Sequence, residues 1–197
     1  MNVPKANVTT DAPVLVRERD NDVAILVLNR PQTRNSLTEE MLTALSAALT
    51  DVATDRTLRT VVIAANGPAF CAGHDLKELT SRRRDADGGR AYFRYIMTMC
   101  SAMMQQIVNL PQPVVAVVQG PAAGVGASLA LASDVVLASE KAFFMLPFTK
   151  IGLMPDGGAS ALIAAAVGRN RAMRMALLAE RIPASEAFEW GLVTAVY

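Results

Sequence analysis

Two turns in the second half of the chain carry the residues best suited to chemistry. Gln119-Gly120-Pro121-Ala122-Ala123-Gly124-Val125-Gly126-Ala127-Ser128 follows an apolar, β-branched run, Pro113–Val118, and opens an Ala/Leu-rich helical run. A strand, a glycine turn and a helix start leave backbone N–H groups free to hold an anion or a developing oxyanion. Ile151-Gly152-Leu153-Met154-Pro155-Asp156-Gly157-Gly158 puts one carboxylate in a glycine-rich turn, with Met, Leu and Phe close by in sequence. Donors for an oxyanion together with a carboxylate in apolar surroundings suit proton abstraction beside a carbonyl. Pro-Asp-Gly-Gly before a helix is also good turn and N-cap chemistry, so Asp156 has a structural reading beside the chemical one.

The elements that must hold these turns alternate along the chain. Val14–Arg19 and Val23–Asn29 read as strands joined by a hairpin at Asp20-Asn21-Asp22. Thr38 followed by Glu39 and Glu40 is a helix start, with Met41, Leu45, Ala48 and Val52 at helical spacing behind it. Arg59–Ala64 predicts a buried strand. A helix begins near Asp75 and breaks in Ser81–Gly89, and a long helix runs from about Arg90 to Asn109. Its Tyr92, Tyr95, Ile96, Met99, Met103 and Ile107 recur three to four apart and read as core. Val114–Val118 and Asp134–Ala138 are strands flanking the glycine turn. Ala/Met-rich helices follow Asp156 to about Glu189, and a last strand falls at Leu192–Val196. Strands alternating with helices place the chain in the α/β class with parallel pairing. The 197 residues suit a polar, flexible tail over 1–12 and one core domain over 13–197.

Composition narrows the partners. Nineteen basic and eighteen acidic residues leave a net charge of +1, so no global field attracts nucleic acid or an anionic membrane. One histidine, His74, and two cysteines, Cys71 and Cys100, offer no metal-site spacing, and the cysteines read as reduced, buried thiols. Met1–Pro13 lacks the apolar core of a secretory signal, and the apolar stretch Pro113–Ala138 is interrupted by Gln119, Gly120, Pro121, Ser128, Ser133 and Asp134. A cytoplasmic protein without a membrane span is the expectation.

The motifs, taken in order, resemble the crotonase superfamily of enoyl-CoA hydratases and isomerases over about Val14 to Tyr197. They are Asn29-Arg30-Pro31 with Arg34-Asn35-Ser36-Leu37, then Phe70-Cys71-Ala72-Gly73-His74-Asp75-Leu76, then Pro113–Leu131. Pro155-Asp156-Gly157-Gly158 and Trp190-Gly191-Leu192-Val193 complete the set. The resemblance implies a spiral of repeated strand-strand-helix (ββα) turns, assembled as a trimer or hexamer, and an acyl-CoA thioester substrate with no further cofactor or metal. It also implies an oxyanion hole made by the backbone N–H groups of His74 and Val125. Arg34 and Lys77 fall where the family meets the CoA nucleotide. Ala72, Gly73, Asp75, Leu76, Gly124 and Phe148 fall along the rest of the substrate's path. An apolar strand ending at Tyr197 leads to the expectation that a C-terminal helical part is absent here, or that a partner subunit covers the strand.

The chain departs from the family's hydratases where their two glutamates stand. Those positions hold Ser128 and Phe148, and neither can act as a carboxylate. Gly120-Pro121-Ala122 and Pro147–Leu153 instead resemble the 3,2-enoyl-CoA isomerase branch, whose single catalytic glutamate falls at Asp156. An isomerase therefore leads the functional readings. An atypical hydratase, a non-catalytic acyl-CoA binder and a nucleophilic Asp156 stay open beside it.

Overall fold

The computed structural model describes residues 12–197. The tail expected over 1–12 lies, apart from Ala12, outside the described residues. The chain opens with β1 (Leu15–Asp20) and β2 (Val23–Leu28), an antiparallel hairpin turned by Asn21 at φ 54°. α1 (Glu39–Thr54) starts where the Thr38 hydroxyl accepts the Met41 N–H at 3.2 Å, and it buries Met41, Leu42, Leu45, Ala48, Leu49 and Val52. β3 (Thr60–Ala65), α2 (Leu76–Ser81), α3 (Arg90–Val108) and β4 (Val114–Val118) follow. Then come β5 (Ala122–Ala123), α4 (Val125–Leu131), β6 (Val135–Ala138) and β7 (Phe143–Met145). The last elements are α5 (Ala159–Leu178), β8 (Ile182–Pro183), α6 (Ala184–Glu189) and β9 (Ala195–Val196).

Six strands form one sheet in the order β1-β2-β3-β4-β6-β9, parallel from β2 onward. β3 and β4 bury alternate residues to zero exposure, Val61 and Ile63 on one and Ala116 and Val118 on the other. A second, shorter ladder runs beside this sheet. Leu37 bridges His74, Cys71 bridges Ala122, Ala122-Ala123 pair with Phe144-Met145, and Phe143-Phe144 pair with Ile182-Pro183. Successive turns of chain thus contribute one long and one short pairing before a helix returns, the crotonase-type ββα spiral that the sequence suggests. One core cluster runs from Leu15 to Val193.

Three details correct the sequence reading. Tyr95 of α3 is 47% exposed and gives its hydroxyl to Glu39 at 3.1 Å. The core-facing stripe of α3 is Ile96, Cys100, Met103, Met104 and Ile107, because the helix carries apolar residues on more than one face. The final strand is two residues long, and Leu192 and Val193, expected to lie uncovered, are buried by this chain itself. α5 is interrupted at Gly168, whose φ of 76° and ψ of 166° are not helical. Among the described residues, no helix is long and apolar enough to cross a membrane.

Gly126 shows how tightly α4 is seated. A Cβ there would overlap the Cys71 carbonyl oxygen and lie 2.7 Å from Cys71 Sγ. Gly126→Ala is expected to lower stability by about 1–3 kcal/mol, the range for overpacking a filled core. Gly152, at φ 72° with no atom within 4 Å of an added Cβ, sets the control. Gly152→Ala meets only the left-handed backbone cost of about 1 kcal/mol. Urea unfolding of the two variants checks the order.

Candidate functional site

Two loops leave the carboxyl ends of the neighbouring strands β3 and β4 and meet. The first, Asn66–Asp75, is fixed from below by buried Asn35, whose Nδ2 donates to the carbonyls of Asn66 and Ala69, each at 2.9 Å. From the side, Ala72 N–H donates to Arg34 O at 3.0 Å, Leu37 N–H to Gly73 O at 2.8 Å, and Asp75 N–H to Leu37 O at 3.0 Å. Leu37 thereby bonds to the residues on either side of His74. In a parallel bridge this turns the N–H of His74 itself away from Leu37. The second loop ends at Gly124, whose N–H donates to Met145 O at 2.9 Å. Val125 is the first residue of α4, so its N–H has no partner within the helix. Neither the His74 nor the Val125 amide has a hydrogen-bond acceptor among the described residues.

The loops approach each other because both turn on glycine. Gly73 sits at φ 93°, and a Cβ on it would be 2.9 Å from Ala123 O and 3.6 Å from Val125 N. A side chain at that position would separate the two free amides.

The third part arrives from β7. Its chain makes a short helical turn over Pro147–Ile151 and presents Asp156 just before α5. Gly157, at φ 57°, brings this loop onto α4, since a Cβ there would lie 2.9 Å from Val125 Cγ2 and 3.1 Å from Ser128 Cβ. Ser128, fully buried, donates its hydroxyl to Asp156 O at 3.1 Å. The Asp156 carbonyl also accepts the Ala159 N–H at 3.0 Å. The carboxylate does not cap α5, whose N-cap is Gly158 with no side-chain bond. Its Oδ1 is buried without a partner. Burial raises the Asp156 carboxyl from 3.8 to about 6. The purely structural reading of Asp156 thus loses its hydrogen bond: the main chain holds the turn, and the carboxylate is left over.

These parts share one small cavity of about 70 Å³, lined by Gly73, His74, Gly124, Val125, Phe148 and Asp156 among others. A second pocket of about 360 Å³ extends from Asp156 along Phe93, Met97, Cys100, Leu153 and Met154. Phe93 and Met97 escape a sequence reading that places α3's apolar residues in the core; their signal is an apolar pair four residues apart, on a face other than the core stripe. Ala72 and Leu76 also line the small cavity, and Leu76 is 51% exposed. Arg34 and Lys77 are exposed and do not line it. Asp75 is occupied structurally: it caps α2 through the Lys77 and Glu78 amides at 3.0 and 3.2 Å, and accepts from Ser36 Oγ at 2.9 Å. The two ring nitrogens of His74 are buried without partners, and burial lowers the ring from 6.5 to about 4, which keeps it neutral near pH 7. Burial pushes the thiols of Cys71 and Cys100 up to about 12, as suits packing rather than nucleophilic attack.

The ββα spiral is the fold of the crotonase superfamily. The enoyl-CoA hydratase/isomerase family model matches residues 18–197, and the chain belongs to that family. A solved enoyl-CoA hydratase from Mycobacterium avium subsp. paratuberculosis K-10 is 52% identical, with a TM-score of 0.83, covering 93% of this chain and 68% of that one. Among characterised relatives, the 1,2-epoxyphenylacetyl-CoA isomerase of Escherichia coli K12 is 38% identical over 179 residues, 88% of this chain and 66% of the relative. The trans-2-decenoyl-[acyl-carrier-protein] isomerase of Streptococcus mutans is 37% identical over 88% of this chain and 65% of its own length. The chain therefore spans about two thirds of the length of these relatives.

Asp156 and His74 pull stability in opposite directions as pH changes. The Asp156 carboxyl, raised from 3.8 to about 6, keeps its proton better when folded, so the stability it contributes at low pH is lost as pH rises through that window. The His74 ring, lowered from 6.5 to about 4, resists protonation when folded, so stability is lost as pH falls through that window. Asp156→Asn is expected to lose more stability than the wild type between about pH 7 and about pH 4.5, and His74→Gln less. Urea midpoints at the two pH values test this, and the reverse order contradicts it.

Proposed function

We propose that this protein shifts a carbon–carbon double bond in an acyl-CoA thioester, converting a 3-enoyl to a 2-enoyl ester. One observation carries the reading: a half-buried carboxylate with one oxygen, Oδ1, buried and unpartnered lines the same cavity as two amides that have no acceptor. The thioester oxygen sits between the N–H groups of His74 and Val125. Asp156 takes a proton from C2, the electrons spread over a dienolate whose oxygen those amides hold, and Asp156 returns the proton to C4. Each amide aimed at the developing oxyanion contributes roughly 2.7–4 kcal/mol. One base serves both proton transfers, so the reaction needs no carboxylate at Ser128 or Phe148.

Local chemistry supports Asp156 as that base. A carboxyl near 6 is still mostly ionised at pH 7 yet holds a captured proton better than an ordinary carboxylate. Aspartate is one methylene shorter than glutamate, and a misplacement of about 1 Å can cost on the order of 100-fold. The Ser128 hydroxyl on the Asp156 carbonyl and the contact of Gly157 with Val125 keep the shorter side chain close to α4. The proposal includes self-association as a trimer or hexamer, supported by the exposed apolar side chains Leu177, Leu178, Phe188 and Tyr197.

Incubation with a 3-enoyl-CoA, with the product read by mass spectrometry and proton NMR, tests the activity. A product of unchanged mass with a moved double bond is expected; a gain of one water indicates a hydratase. Asp156→Asn is expected to lower turnover by about 100-fold or more while ester binding is kept. Wild-type turnover should rise with pH through the ionisation of Asp156. Full turnover in Asp156→Asn places the base elsewhere.

A further inference from the structure

A groove of about 1080 Å³ joins the site from the side of Asp156. It shares Phe93, Met97 and Leu153 with the pocket around that carboxylate. Its floor is apolar, from Leu76, Phe93, Met97, Ile151 and Leu153, and its wall carries Arg83, Arg90 and Arg94 with no Asp or Glu. None of the three arginines has a carboxylate within 4.0 Å among the described residues. Asp87, the acid nearest Arg90 in sequence, is engaged by the amides of Gly89 and Ala91 at 2.9 and 2.7 Å. The chain as a whole carries eighteen acids against nineteen bases, so a wall with three cations and no acid is a local choice.

We infer that this groove takes an acyl chain whose far end bears a carboxylate, held by Arg90 and Arg94. This rests on reading the site as one for acyl thioesters. The base must face the acyl carbons beside the thioester, so what leaves the site past Asp156 is the acyl chain and not the CoA. The Arg34–Ala72 contact lies at the other loop, and neither residue lines the groove. Arg90, Phe93, Arg94, Met97 and Ser101 form one stripe of α3. Met97 touches the Asp156 pocket. Arg94 and Arg90 stand about 4.5 and 10.5 Å from it along the axis, at roughly 1.5 Å per residue. A medium-length chain laid over the apolar floor therefore ends among the guanidinium groups. A methyl end placed there gains nothing from them. A carboxylate end gains charge-assisted, forked hydrogen bonds.

The test compares two 3-enoyl-CoA esters of equal medium length, one ending in methyl and one in carboxylate. Each is also prepared as a pantetheine thioester without nucleotide phosphates. The wild type is expected to favour the carboxylate-ended ester by about tenfold, mainly through KM, and to keep that preference with the pantetheine pair. Arg90→Gln and Arg94→Gln should bring the ratio towards one, and rising salt should shrink it. Where neither ester is turned over, the same ratio is read from dissociation constants, which separates this inference from the isomerase reading. Circular dichroism confirms that the variants fold. Equal handling of the two chain ends by the wild type overturns the proposal. So does a loss in the arginine variants that is equal for both CoA esters and absent for both pantetheine thioesters, since the arginines then serve the phosphates.

Discussion

The site depends on how closely two backbone turns can approach. The Gly73 turn and the start of α4 lie so near each other that a single methyl on Gly73 would press on Ala123 O and stand 3.6 Å from Val125 N. The pairing of β3 with β4 brings the two turns together, since both leave the carboxyl ends of adjacent parallel strands. Asn35 and Leu37 then fix the first turn through hydrogen bonds to its main chain. Gly126, packed on Cys71, fixes the second. An amide held rigidly at both positions costs no reorganisation when charge develops on a bound oxygen, and so a preformed pair of donors outperforms water.

Around that pair the protein separates two uses of polar groups. Asn35, Asp75 and Ser128 are satisfied by main-chain or side-chain partners and act as struts. Asp156 Oδ1 and the two His74 nitrogens are buried and unsatisfied. A folded chain tolerates a few such groups, each at a desolvation cost of about 1–3 kcal/mol. Here they line one cavity together with the free amides, and burial drives the carboxyl up and the imidazole down. The cost is concentrated where a ligand's own groups can offset it.

Much of this was readable from the chain alone, for identifiable reasons. β-branched runs mark β3, β4 and β6, with Gly and Pro closing the first two, and Thr38 before two glutamates marks the start of α1. The helix opening at Val125 follows from glycines that stand at the start of an apolar run and not in its middle. β7 and β8, at three and two residues, are too short for periodicity to register. The role of Ser128 depends on a bond that spans 28 residues, which no local pattern carries. Asp156 read equally well as a cap or a base until its carboxylate proved free of α5. Phe93 and Met97 were hidden because α3 is apolar on the face it turns to the core and on the face it turns to the site.

The central claim is that Asp156 removes a proton from the carbon next to a thioester held by the His74 and Val125 amides. Solvent exchange reports that step where the proton captured by Asp156 exchanges with water before a proton is returned to carbon, the pocket beside Asp156 being continuous with the open groove. A 3-enoyl-CoA is incubated in heavy water with the wild type and with Asp156→Asn, and deuterium at C2 and C4 is followed by NMR. Deuterium entering at those carbons with the wild type, and at a rate lower by about 100-fold or more with Asp156→Asn, is the expected result. Exchange at equal rates in the two proteins, or deuterium found only in a product that has gained water, contradicts it.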